Sequence, residues 1–332
     1  MQPLVRVTLR WVPWGWRCAT PTRNTAGATG RDGRLALRAH ISERQRRYGA
    51  EVRRLRLDAN VAVQTAAAHV GMRGPQLNHI EAARTGLDEI RMRELAALYG
   101  CTDEEYLATL AALGASDGRG WWSSHKRRVP AFALDLAELE HWSNRAYLNY
   151  ETFLIPGMLQ TKEYMRQLFT TGGYPLSPEQ LDNTVAFRLD RQQILDTPTE
   201  FHFVIHEAAL LMSFAGRDVM RRQLAHLLAA SEKPNVTLQV LPFSARATPP
   251  YSGPFLITEP ASAHLATVII DSPGELAFHD LPETVRKFRS RFDELHRLAL
   301  PPGSASTSSD PYSERDSWGV IQHIKHGLEL ER

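Results

Sequence analysis

The sequence predicts an all-α N-terminal domain of five short helices, followed by a mixed α+β (or α/β) C-terminal domain. Between residues 42 and 113, apolar residues recur at helical spacing in short segments punctuated by Gly71, Gly86 and Gly100. Between residues 131 and 300, stretches of period two alternate with stretches of helical period, the pattern of strands mixed with helices. Charge divides the chain in the same way. Residues 1–130 carry 21 Lys and Arg against 12 Asp and Glu, whereas the remainder carries 18 against 25.

A chain of 332 residues has room for two sizeable cores. Its two cysteines, Cys18 and Cys101, support neither a disulfide framework nor a four-ligand zinc site. No apolar run approaches the ~18 residues of a membrane-spanning helix, so the expected compartment is cytoplasmic. A basic N-terminal third suits contact with nucleic acid through one end. Part of the excess lies in the four arginines of residues 1–30, and from Arg31 to Pro130 the balance is +5.

Residues 1–41 hold Trp11, Trp14 and Trp16 without a sustained period and read as a disordered leader, or as a start codon placed too early. The first helix is expected over Ser42–Asp58, with Tyr48, Val52, Leu55 and Leu57 inward and Arg46, Arg47, Arg53, Arg54 and Arg56 outward. In Val61–Gly86, Ala66, Ala67 and Val70 precede Gly71, and Leu77 and Ile80 follow it at six and nine residues. A small residue four before a turn glycine lets two helices cross closely, which is the spacing of a helix-turn-helix. Asp88–Tyr99 is the fourth helix. Thr102 and Glu105 predict a capping box for a fifth, ending near Leu113.

In such a motif the second helix presents its first residues to base edges while the first crosses the backbone. Those positions are Arg73, Gln76, Asn78 and His79, with Gln64 and Arg84 placed toward phosphate. Arg pairs bidentately with guanine, and Asn or Gln with adenine. Gly74 and Pro75 add no reading side chain. The expected partner is double-stranded DNA, and one small reading head needs a second half-site, which predicts a homodimer.

Residues 114–130 read as a Gly/Ser-containing linker whose Trp121 and Trp122 dock on a domain. In the second domain, residues 131–300, helices are expected over Leu134–Asn144, Thr161–Phe169, Ser177–Leu195, Asp218–Ser231 and Leu281–Leu298. Strands are expected over Ala146–Phe153, Glu200–His206, Asn235–Leu241, Gly253–Thr258 and Ala266–Asp271. A flexible linker, 301–316, leads to a C-terminal helix, 317–332. There Trp318, Ile321, Ile324 and Leu328 form an apolar face that docks on the body or on a second copy.

The helix-turn-helix, with its Ile80-Glu81 pair, resembles the XRE family of bacterial DNA-binding proteins. Behind it, PGMLQT (156–161), RQQIL (191–195), HEAAL (206–210), LPFS (241–244) and SGPF (252–255) occur in the order found in a C-terminal domain of unknown function. That domain belongs to actinobacterial XRE-type regulators, including WhiJ-like and antitoxin-like proteins. The resemblance spans Arg46 to Leu300 and implies a transcriptional regulator; it supplies no mechanism for the second domain.

Catalytic signatures are not what the chain offers. HEAAL opens like a zincin helix, but Leu210 stands where the second His belongs. His202 and His206 read as polar alternates of a strand, and Asp271, Glu275, His279 and Asp280 as solvated loop charge. No catalytic residue, cofactor or metal ligand is assigned. The reading is a DNA-binding regulator whose C-terminal domain binds a small-molecule ligand or a small partner protein. The alternatives are an antitoxin-like protein that captures a small partner, and an enzyme on a repurposed regulator scaffold.

Overall fold

The computed structural model describes residues 41–173, 176–245, 253–272, 275–304 and 316–330; the predicted leader lies outside them. Five helices come first: α1 (Glu43–Asp58), α2 (Val63–His69), α3 (Gly74–Glu81), α4 (Glu89–Leu98) and α5 (Glu104–Gly114). Ser42 caps α1, with Gln45 Oε1 accepting from the Ser42 N–H at 3.2 Å in return. The α5 cap is Asp103 and not Thr102. Its carboxylate accepts the Tyr106 N–H at 3.0 Å, an ionised acceptor next to the positive end of the helix.

Polarity misjudged one face of α1. Leu57 is 54% exposed, whereas Arg47, Glu51 and Arg56 are buried. The helix is covered on two sides, by its own domain and by the one that follows, so its charged residues are buried in pairs.

The second domain contains α6 (Ala131–Trp142), β1 (Ala146–Glu151), α7 (Lys162–Thr171), α8 (Pro178–Gln192), β2 (Glu200–His206), α9 (Glu207–Leu211), α10 (Arg217–Ser231) and β3 (Val236–Leu241). Then come β4 (Phe255–Glu259), β5 (Thr267–Ser272), β6 (Glu275–His279), α11 (Pro282–Leu298) and α12 (Ser317–Leu330). The strands form one sheet in the order β3-β2-β1-β4-β5-β6. β1, β2 and β3 run parallel, and β4, β5 and β6 are added antiparallel.

Alternation along the strands gives the sheet two apolar faces. Tyr147, Phe201, Phe203, Leu238, Leu256 and Ile269 look to one side, where α10 contributes Leu224 and Leu227 and α12 contributes Val320 and Ile321. Ala146, Leu148, Tyr150, Ile257 and Val268 look to the other, covered by Phe292 and Leu295 of α11. The apolar face of α12 therefore docks on the body. Its first residue also caps the sheet edge: Ser317 Oγ accepts the Val240 N–H at 2.9 Å, and the Leu300 N–H donates to Val240 O at 2.9 Å.

Residues 114–130 are docked too. Trp122 is buried with Ala137 of α6 and Phe187 of α8, and His125 Nε2 lies 2.8 Å from Asp190 Oδ2. The described residues fall within one compact unit.

Candidate functional site

α2 and α3 cross over a core of Ala66, Ala67, Val70 and Leu77, joined to Leu95 of α4. Gly71 makes the turn at φ +66°, a left-handed conformation that costs glycine no steric clash. Arg73 is the N-cap of α3, and Gln76 Oε1 accepts its N–H at 2.8 Å. A Cβ on Gly74 would lie 3.8 Å from Gln64 Cγ, so the first turn of α3 sits beside the start of α2.

Leu77 and Ile80 take the inner face of α3. Helical spacing then centres the outer face on Pro75 and Ala82, with Asn78 and His79 on either side. Gln64, Arg73, Gln76, Asn78 and Arg84 are exposed, and His79 is half-buried. Gln76 stands apart from the rest: its carbonyl oxygen closes the helix cap, so a bidentate contact to adenine requires that bond to open.

Most head arginines are committed internally. Arg47 and Arg54 pair with Glu51, Arg56 with Glu81, Arg91 with Asp88, and Arg93 with Glu89 and Glu104. Among the described residues Arg53, Arg73 and Arg84 make no ion pair. Arg53 follows Gly49 by one turn on the side of α1 that crosses α3. It escaped the sequence reading because nothing local distinguishes it from its paired neighbours.

The crossing of α1 and α3 is close. A Cβ on Gly49 would meet Ile80 O and Glu81 O at 2.8 Å and Ala83 N at 2.9 Å. One turn pair further on, Arg56 forks onto Glu81 and also donates to Val61 O at 3.0 Å.

The reading head is also fastened to the sheet. Leu265, in the turn between β4 and β5, is fully buried among Tyr48, Val52, Tyr106, Leu107 and Leu110 of the head. Arg47 Nη1 reaches both Glu51 Oε2 at 2.9 Å and Asp280 Oδ2 at 3.2 Å. Tyr106 Oη donates to Glu51 Oε1 at 2.5 Å. Burial alone would push the Glu51 carboxyl up, but Arg54, Arg47 and Tyr106 hold it below the ordinary carboxylate range. Asp280, read from sequence as solvated, is therefore half of an interdomain ion pair.

In the sheet domain the phrases that carried the resemblance converge. PGMLQT follows β1, HEAAL follows β2, LPFS closes β3, and residues 253–255 of SGPF, whose Ser252 lies outside the described residues, enter the antiparallel β4, so these segments lie at the carboxyl ends of the parallel strands. RQQIL ties the first of them down. Gln192 Nε2 donates to Gly157 O at 3.0 Å and Gln160 O at 2.8 Å, and Arg191 forks onto Glu140 at 2.6 and 2.7 Å. His206 caps α9, its Nδ1 accepting the Ala208 N–H at 3.1 Å, and Glu207 accepts the Phe243 N–H at 2.8 Å. Among the described residues no group of three or more His, Cys, Asp or Glu is placed to hold a metal ion.

A crevice of about 330 Å³ opens at this edge, lined by Glu151, Thr152, Phe153, Leu154, Gly253 and Pro254. It lies where strand order reverses between β1 and β4, the position at which open α/β sheets receive ligands. Sequence reasoning missed it, because its two walls are a hundred residues apart.

The arrangement defines a helix-turn-helix DNA-binding head built onto a mixed α/β domain. A family model of a helix-turn-helix domain matches residues 47–109, and one described as a domain of unknown function, DUF5753, matches residues 134–307. The second match covers more than half of the chain, which belongs to the DUF5753 family. No curated protein and no solved structure matches the chain. Among the described residues no helix is long and apolar enough to cross a membrane.

Proposed function

We propose that the chain is a cytoplasmic, homodimeric transcriptional regulator of XRE type. It binds double-stranded DNA through α3 and senses a small molecule or small partner protein through the sheet domain. The observation that carries this is the composition of the outer side of α3. Arg73, Asn78 and His79 are presented around Pro75 while Leu77 and Ile80 are buried, and Arg53, Arg73 and Arg84 have no ion pair among the described residues. Arg73 reads guanine, Asn78 reads adenine, Gln76 contributes an amide donor, and Gln64 and Arg84 hold phosphate.

The sensing half of the reading is supported by β4. One end of this strand lines the crevice, and the other leads into the turn that carries Leu265 into the head. Five residues of strand, roughly 17 Å, separate the two. A ligand that draws Pro254 toward β1 therefore pulls on the packing beneath α1 and α5.

The test is a mobility shift on the protein's own promoter region at two salt concentrations. Arg73→Ala costs about 1–3 kcal/mol on the specific site and relaxes preference at one base pair. Arg84→Ala weakens binding to all sequences alike and reduces the salt slope by about one unit. Absence of binding at low salt, or binding untouched by both substitutions, would overturn the reading.

A further inference from the structure

The crevice at the end of β1 has an ionisable wall that DNA binding leaves unused. Glu151 is its ionisable residue, and the one side-chain hydrogen bond it makes among the described residues is a long one, 3.4 Å from Asn149 Nδ2 of its own strand. Continuing the β1–β4 register by one row sets Glu151 opposite Pro254, and continuing the β4–β5 register by two sets Pro254 opposite Asp271. Alternation places all three on the sheet face shared by Tyr147, Leu256 and Ile269. Two carboxyl groups thus flank one strand, and the residue between them is a proline with no N–H to offer.

We infer that this crevice binds a small organic amine, its cationic nitrogen held at Glu151 on the side of Asp271, its apolar body against Phe153, Leu154 and Pro254. The inference rests on the sensor reading of the sheet domain and names the class of ligand sensed.

Charge selects the amine. The cations facing Glu151 come from α8, and both are engaged. Arg191 forks onto Glu140 of α6; Arg188 Nη1 donates to Gln160 Oε1 at 3.0 Å, and its guanidinium lies over the Phe169 ring. The remaining ionisable groups around it are Asp271 of β5, Tyr147 and Tyr150 of its own strand and Tyr164 of α7. Burial first, and then Asp271, push the Glu151 carboxyl up to about 8, and burial raises Asp271 as well. An incoming cation relieves both, whereas an anion meets two carboxyl groups. Beyond Glu151 and Thr152 the lining is Phe153, Leu154, Gly253 and Pro254, which suits a hydrocarbon body.

The walls are held in place before any ligand arrives. Ile155 O accepts from Gln160 Nε2 at 2.7 Å, the Ile155 N–H donates to Tyr164 Oη at 3.2 Å, and Gln223 ties Leu159 and Thr161 from α10. The segment that follows Leu154 is thus anchored to α7 and α10, and this wall of the crevice needs little ordering to receive a ligand.

Ligand-observed NMR titration of the full-length protein with three probes of one shape tests this: phenethylamine, 2-phenylethanol and phenylacetate. At pH 8.5 phenethylamine binds at least tenfold tighter than the alcohol, and phenylacetate binds more weakly than either. At pH 6.5, where Glu151 carries its proton, the amine's advantage falls at least fivefold. Glu151→Gln abolishes both the preference and its pH dependence and keeps the weak binding of the alcohol. Asp271→Asn lowers the preference about threefold and serves if the first variant does not fold. Equal affinities, a preference for phenylacetate, a preference that survives Glu151→Gln in a folded protein, or no binding by any probe overturns the inference. A promoter shift without probe, on wild type and Glu151→Gln, reports the regulator reading separately: DNA binding persists when only the amine site is wrong, and amine binding persists when only the DNA reading is wrong.

Discussion

The guanidinium of Arg56 and the carboxylate of Glu81 meet as a two-pronged pair, Nε to Oε1 at 2.6 Å and Nη2 to Oε2 at 2.8 Å, both side chains almost fully buried. The pair joins the last turn of α1 to the last residue of α3, the helix that carries the proposed DNA-reading positions. Breaking a buried pair leaves its partner desolvated and unmatched, at a cost of about 3–5 kcal/mol. Arg56→Ala is therefore expected to lower the unfolding free energy measured in urea by that amount and to weaken DNA binding without touching a residue proposed to face DNA. Arg56→Lys should recover little, because an ammonium cannot reproduce the fork. A melting curve unchanged by Arg56→Ala would show that the pair is dispensable.

Gly49 sets the distance between the same two helices. Its missing side chain leaves α1 against three backbone atoms of α3 and its exit, none of which can rotate away. Gly49→Ala raises helix propensity by about 1 kcal/mol in isolation, yet the clash must push the helices apart. The expected net effect is destabilisation, about 1–3 kcal/mol as for other overpacked sites. Gly327→Ala on α12, with nothing within 4 Å of the added methyl, is the control and should be neutral or stabilising. Chemical denaturation of both variants decides. Equal effects would mean that α1 and α3 are free to separate.

Leu265 gives the coupling between head and sheet a handle. It belongs by sequence to the sheet domain and by packing to the head. Leu265→Ala should cost about 2–5 kcal/mol, the range for a fully buried leucine. The loss should fall on cooperativity: one calorimetric transition in wild type, two in the variant, the head melting first. A single transition shifted as a whole would indicate that the head is held elsewhere, for instance by Arg47 and Asp280.

Where a fold is written in local periodicity, it could be read. β2 was predicted at its observed limits, because Phe201, Phe203 and Ile205 alternate with polar neighbours, and α8 was announced by Ser177 and Pro178. β6 was missed: it pairs only with β5 at the sheet edge, and ELAFH has too little alternation to stand out from a charged loop. α9 was missed because five residues are too few for a period. Arg47 was placed in solvent for a different reason. Its partners at 280 and 264 come from another domain, and no local pattern encodes a contact across more than two hundred residues. α3 was legible because the helix-turn-helix is a local object. The crevice was not, since its walls meet only once β1 and β4 pair.

The carboxyl of Glu151 makes stability depend on pH in a direction opposite to that of ordinary surface acids. Its folded value, about 8, lies above the ordinary 4.5. The folded chain therefore holds a proton that the unfolded chain has released, and the stabilisation this gives is complete below pH 4.5 and is lost as pH rises to 8. Each unit of difference is about 1.4 kcal/mol, and water at the open mouth of the crevice screens part of it, so the expected loss is roughly 1–3 kcal/mol. Asp271, raised by burial, adds to it in the same sense. Glu51 does not interfere, because its depressed value matters only below about pH 4.5. Glu151→Gln removes the titration and leaves the shape. Urea midpoints at pH 5, 7 and 9 should then show the variant gaining on wild type as pH rises. A constant difference across the three would mean that Glu151 ionises in the folded chain as it does in water, and that the wall of the crevice carries an ordinary carboxylate.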